Sequence, residues 1–303
     1  MLFPDTSAGD SVSEFQMFHT DRWSETSILS PNCIFRPSCV KQLSAAVKAL
    51  AIGKCQFAIK SGGHNPIPGA NDIDNGVSID LRYLNQTTLA PDRSFVSLGA
   101  GGTWINAYHA FADDGVAFPG GLCGTTGIGG VTIGGGQSPF SAKVGWVVDN
   151  VLNFELVLAD GEIVNANATC NSDLFRAQKG GGSNFGIVTR IDIAAFEHSN
   201  ELWGGEILVQ STPATKQAAL EATFNYTMQN NINVDAMLQT VFFYFNNGTA
   251  VINFALAATD NARNPEIFKP FTSMGPQIGN TVSSRTLTSF IREIIPTQPT
   301  GYR

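Results

Sequence analysis

Two side chains capable of covalent chemistry sit where almost no bulk surrounds them. His64 lies in Ser61-Gly62-Gly63-His64-Asn65, and Cys123 in the run Pro119-Gly120-Gly121-Leu122-Cys123-Gly124-Thr125-Thr126-Gly127-Ile128-Gly129-Gly130. An isolated histidine is most often a surface or satisfied core group. Inside a glycine loop, a neutral imidazole can instead act as nucleophile or base beside a bound ligand, and main-chain N–H dipoles favour a thiolate at Cys123. The pair predicts no metal centre, because no third ligand stands at useful spacing. Cys/His hydrolysis would need an oxyanion hole and an orienting Asn or Asp, and the sequence places neither.

The loops themselves point to the ligand. Thirteen of the 31 glycines fall between Gly99 and Gly136. Ser61–Asn65 can turn its N–H groups into a concave anion nest, with no Cβ to keep a pyrophosphate from the main chain; alone, the same tract would also serve as a plain turn. In the second run each glycine costs about 1 kcal/mol in a helix relative to Ala. Backbone lying against an extended or phosphorylated ligand is therefore expected there rather than packed helix. A third cluster, Lys179-Gly180-Gly181-Gly182-Ser183-Asn184-Phe185-Gly186, opens into a strand. None of the three is a Rossmann G-x-G-x-x-G or a Walker G-K-[ST]. The expectation is a large phosphate-bearing cofactor in a different fold.

The elements that must position these loops follow from hydrophobic spacing. Residues 38–52 predict a helix that Gly53 stops, and Gln56–Lys60 a buried strand running into the His64 loop. Strands are expected at Gly76–Leu81 and Arg93–Ala100, with a helix at Trp104–Phe111. Asn150–Leu158 and Glu162–Asn165 flank a hairpin signal at Asp160-Gly161. Leu174–Ala177 reads as helix and Phe185–Phe196 as strand. Beyond His198–Leu202 the glycine clusters end. Strands at Glu206–Val209, Ala236–Phe245 and Val251–Ala258 with a helix at Thr215–Gln229 predict a second α+β domain, and Ser283–Glu293 the beginning of a further element. The division is 1–30 as an N-terminal segment, 31–198 as the cofactor domain, and 199–303 as part of a second domain.

Composition narrows the partners. A net charge of −7 argues against nucleic acid or anionic lipid as a ligand. Hydrophobic residues reach 43% and charged ones only 14%, against about 25% in an average protein, so a sizeable core is expected. No window of 18 uncharged apolar residues could span a membrane. The five cysteines (Cys33, Cys39, Cys55, Cys123, Cys170) are too few for a disulfide scaffold, and Cys123 is the odd one by position. Sequons at Asn85, Asn167, Asn225 and Asn247 suggest a glycosylated, secreted protein, although the first residues form no secretory signal.

Phe57-Ala58-Ile59-Lys60-Ser61-Gly62-Gly63-His64 resembles the flavin-attachment motif of the FAD-linked oxidases of the p-cresol methylhydroxylase/vanillyl-alcohol oxidase superfamily, nearest to the fungal branch of the berberine bridge enzyme-like group. Gly76–Leu81, Gly99-Ala100-Gly101, Gly127–Gly136, Asp149-Asn150-Val151, Val157–Gly161, Asn171–Phe175 and Gly182–Val188 follow in the family's order. The resemblance implies a PCMH-type FAD-binding domain of two α+β subdomains, followed by a substrate domain with an antiparallel sheet and helices. It implies FAD joined to His64 at the 8α carbon and, through Cys123, at C6. Ser61, Gly62, Gly63, Asn65, Gly121, Thr126, Gly127, Gly129 and Gly130 would hold pyrophosphate and ring, with Asn184, Gly186 and Val188 on the adenine-ribose side. Thr126 stands at the family's gatekeeper position, where a residue of its size permits O2 to react; Val131 replaces a histidine that some plant members place near the flavin N1. The activity implied is oxidation of a small carbohydrate, alkaloid or polyketide-type substrate, with O2 reoxidising the flavin to give H2O2. The alternatives are a dehydrogenase using another acceptor, or a flavin-binding remnant without catalysis. Family members continue past Arg303 and carry their tyrosine base there, which Tyr302 does not match, so the chain reads as C-terminally truncated.

Overall fold

The computed structural model describes residues 1–4, 13–229, 232–245 and 247–294. The chain opens with α1 (Glu14–Thr20), capped by the Ser13 hydroxyl, which accepts from the Gln16 amide. Then come β1 (Cys33–Phe35), α2 (Val40–Ile52), β2 (Phe57–Lys60) and β3 (Val77–Asp80). These three strands form a parallel sheet in the order β1-β3-β2, with α2 as the crossover that parallel pairing requires. Leu43 and Val47 of α2 pack against Ile79 and Leu81.

The next elements are β4 (Thr87–Leu89), β5 (Phe95–Gly99), α3 (Trp104–Ala110), β6 (Val116–Ala117), α4 (Ile128–Ile133), α5 (Ser141–Val144), β7 (Val151–Val157), β8 (Ile163–Asn167), α6 (Ser172–Gln178), β9 (Ile187–Ala194) and β10 (Phe196–Glu197). Five strands make an antiparallel sheet in the order β4-β5-β9-β7-β8, with β7 and β8 as the Asp-Gly hairpin. The second half has β11 (Glu201–Gln210), α7 (Pro213–Gln229), β12 (Ala236–Tyr244), β13 (Ala250–Ala258), α8 (Lys269–Thr272), β14 (Gln277–Asn280), β15 (Ser283–Thr286) and α9 (Leu287–Glu293). Its antiparallel sheet runs β12-β13-β11-β14, with β15 also on β11. Trp203, Ile207, Ile252 and Phe254 meet Phe268 and Phe271 on one of its faces. The α+β class agrees with the sequence reading.

Three expectations need correction. Part of the glycine run does form a helix, α4, because tertiary contacts override propensity: the Ile128 and Gly129 amides donate to Gly102 O (3.0 Å) and Ala100 O (3.1 Å). Residues 283–293 hold two elements, since the Thr286 hydroxyl accepts from the Ser289 amide and starts α9 directly after β15. No disulfide leaves a single odd cysteine. All five thiols are free, Cys33 buried in β1 while Cys39, Cys55 and Cys170 are exposed at separate turns. Tyr302 lies outside the described residues.

The two halves share a core. Leu202, Met237, Ala255 and Ala257, with Leu287, Phe290 and Ile291 of α9, pack with Trp104, Phe154 and Ile191 of the first half. The boundary near 198–202 is therefore a change of sheet, not a break in packing. At that boundary the Asn200 side-chain amide donates to the carbonyls of Phe111, Ala112 and Val116.

Candidate functional site

The His64 loop and the Gly127 loop meet backbone to backbone. A Cβ on Gly62 would lie 2.6 Å from Gly127 Cα, and a Cβ on Gly127 would lie 2.7 Å from Gly62 Cα. No side chain fits between them, which is why both positions are glycine. The Ser61 hydroxyl closes the seam by donating to Ala100 O (2.6 Å).

Beside the seam lies a cavity of about 810 Å³. The structure brings Ser61, Gly62, Gly63, His64, Asn65, Thr126, Gly127, Gly129, Gly130, Asn184, Gly186 and Val188 to its wall, together with Val131. Gly121 and Cys123 are not on that wall. Gly121 packs against the Trp104 indole. Cys123 stands three residues back, its carbonyl accepting from the Thr126 hydroxyl (2.6 Å) and its Sγ 3.4 Å from Thr125 Oγ1. The neighbouring Gly124 is wedged between Ile105 and Ile291 of α9.

Wall residues that sequence reasoning missed include Phe57, Ile59, Val157 and Leu158, which make one stretch apolar, and Asn71 in the loop after His64. The alternating burial of β2 is the signal that could have placed Phe57 and Ile59 on one face.

Among the described residues, His64 is the one ionisable side chain on the wall. Among the described residues, the amides of Gly62, Gly63, His64 and Asn65 donate to no main-chain or side-chain acceptor within the fold. Gly63, at φ +66°, makes the turn that exposes them. Four free amides on a wall without fixed charge can receive an anion through the main chain. Burial holds the His64 imidazole below the ordinary histidine value, against a smaller raising contribution from its own backbone. At neutral pH its ring is therefore uncharged, with a lone pair available.

The N-terminal segment, assigned by sequence to a separate stretch, clamps this loop. The Trp23 amide donates to Gly63 O (3.1 Å), and the indole stacks on the His64 ring with centroids 4.9 Å apart and planes 18° apart. Buried Arg22 pairs with Asp72 (3.2 Å) and donates to Asn71 Oδ1 (3.0 Å), while Asn71 donates to Asn65 O (2.8 Å). Asp21 pairs with Lys60 (3.2 Å) and Arg82 (2.8 Å), and both bases also hold buried Asp80. Burial alone would raise the Asp72 carboxyl, but His19 and Arg22 outweigh it and hold the group below the ordinary aspartate value.

Of the sequon asparagines, Asn85, Asn225 and Asn247 are exposed. The Asn167 amide nitrogen is engaged, donating to Asn153 Oδ1 (3.1 Å). Among the described residues no three His, Cys, Asp or Glu could hold a metal ion, and no helix is long and apolar enough to cross a membrane.

Comparison with known proteins defines the class: residues 31–167 match the FAD binding domain family. The chain is 34% identical over 303 residues to FAD-dependent monooxygenase drtC of Aspergillus calidoustus, covering 96% of this chain and 57% of that one. 6-Hydroxy-D-nicotine oxidase of Arthrobacter nicotinovorans superposes with a TM-score of 0.84 at 20% identity, over 99% of this chain and 65% of its own. Glucooligosaccharide oxidase of Acremonium strictum, whose structure is described with a 6-S-cysteinyl, 8α-N1-histidyl FAD, superposes with a TM-score of 0.77 at 20% identity, over 96% and 61%. Residues 31–167 therefore belong to the FAD binding domain family, the chain is a relative of fungal FAD-dependent monooxygenases, and its fold is that of 6-hydroxy-D-nicotine oxidase and berberine bridge enzyme. It spans about half the length of the curated relatives it matches.

Proposed function

We propose that the chain binds FAD in the cavity beside the Gly62–Gly127 seam, carries it covalently on His64 with a second bond from Cys123, and serves oxidation of a small organic substrate of carbohydrate, alkaloid or polyketide type. The observation that carries the reading is the seam itself: an uncharged wall with four unused amides and one neutral imidazole. A bound flavin would supply a two-electron acceptor, and O2 would take the two electrons from the reduced form and become H2O2. The chain's own part is binding and orientation. Gly62–Asn65 receive negative charge through N–H groups, the apolar stretch of Phe57, Ile59 and Val157 excludes water, and His64 holds a reactive lone pair at the wall. Thr126 spends its hydroxyl on Cys123 O, which leaves a small wall residue close to valine in size. Export with glycans on exposed Asn85, Asn225 and Asn247 belongs to the same proposal; Asn167 is left out because its amide is bonded.

The test is peptide mass spectrometry of denatured protein, wild type beside His64→Ala and Cys123→Ala. Flavin on both peptides is expected. An adduct on His64 alone leaves Cys123 as a passive neighbour, and folded protein that binds no flavin overturns the reading. Since drtC is named a monooxygenase, labelled O2 separates the outcomes: peroxide alone fits an oxidase, label in the product fits oxygen insertion, and reduction unaffected by O2 fits another acceptor.

A further inference from the structure

We infer that Trp23 is a positioning residue for covalent flavin attachment, fixing the orientation of the His64 ring at the cavity wall. The inference rests on the reading that FAD bonds to His64. Trp23 grips the attachment loop twice, by its amide on Gly63 O and by its indole flat against the imidazole. The grip is anchored by the two residues before it in sequence, since Asp21 is tied to Lys60 and Arg82 while Arg22 is buried on Asp72 and Asn71. Offset stacking between two aromatic rings restricts rotation about the last torsion of the histidine. It also keeps water from one ring face, which disfavours the imidazolium.

The step this serves balances as follows. A neutral His64 ring nitrogen bonds to the 8α methyl carbon, and one C–H bond of that methyl and the ring N–H are given up. The two hydrogens and the electron pair pass through the flavin to O2, which leaves as H2O2.

The experiment adds FAD to flavin-free full chain carrying Trp23→Ala, Trp23→Leu or Trp23→Phe, beside wild type and His64→Ala. It follows acid-stable flavin by mass and the His64 titration midpoint by NMR in the flavin-free protein. Trp23→Ala and Trp23→Leu should slow bond formation about tenfold, leave reversible FAD binding unchanged, and move the His64 midpoint. Trp23→Phe should restore most of the rate. If Trp23→Ala does not fold, the Leu and Phe pair carries the same contrast. A wild-type rate in Trp23→Leu overturns the inference, as does equal loss in Leu and Phe together with lost reversible binding. Wild type with no acid-stable flavin on the His64 peptide overturns the underlying reading instead.

Discussion

The two halves of the molecule solve different problems with different atoms. In residues 31–198 the site is main chain: two glycine loops touch at Cα, and their neighbours leave amides free. In residues 199–294 the sheet is held by side chains, with Phe254 buried edge-on to Phe271 at 5.1 Å between centroids. A backbone site tolerates no added carbon where loops meet, whereas a side-chain core tolerates rearrangement at a stability cost. The difference explains why glycine clusters mark only the first half.

The largest effect should come from the side-chain half. Phe254→Ala should lower unfolding free energy by about 4 kcal/mol, read by chemical denaturation. Flavin should still be incorporated, and its loss would break the division between the halves. Gly62→Val should cost about 3 kcal/mol and abolish flavin binding together, because the added carbons must part the seam. Gly130→Ala sharpens the contrast: a Cβ there meets no protein atom within 4 Å, yet the residue lines the cavity. Flavin-free Gly130→Ala should be as stable as wild type, or more so by up to about 1 kcal/mol, while FAD affinity falls.

The smallest effect concerns pH. The His64 imidazole titrates below its unfolded value of about 6.5, so the unfolded chain takes up the proton first as pH falls. Stability of flavin-free protein should therefore decline as pH drops beneath about 6.5, in a step that His64→Ala removes. Asp72 adds a second decline in more acid solution, because its folded value lies below the unfolded one and its contribution fades as it protonates.

Glycine made most of the site legible in the sequence. Ser61–Asn65, Thr126–Gly130 and Asn184–Val188 lie far apart in the chain yet reach one wall. Trp23 was not legible, because a single tryptophan near the N-terminus has no periodicity and meets His64 only through the tertiary clamp. Nor was α4, whose glycines contradict its helical state until Ala100 and Gly102 accept its first amides. The second half was legible as strands and one long helix from its apolar runs, since β13 is buried along nearly its whole length; it names no substrate, because a sheet face looks alike whatever it binds.

The contact of α9 with Gly124 sets an order of events at birth. The ribosome delivers Ile291 about 160 residues after Gly130, a lag of roughly ten to thirty seconds at about 5–20 residues per second. During that interval the seam and the Trp23 clamp can already close over their segment, while the loop bearing Cys123 lacks its outer support. On the proposed two-point attachment, the histidine side matures first and the cysteine side only once α9 has emerged.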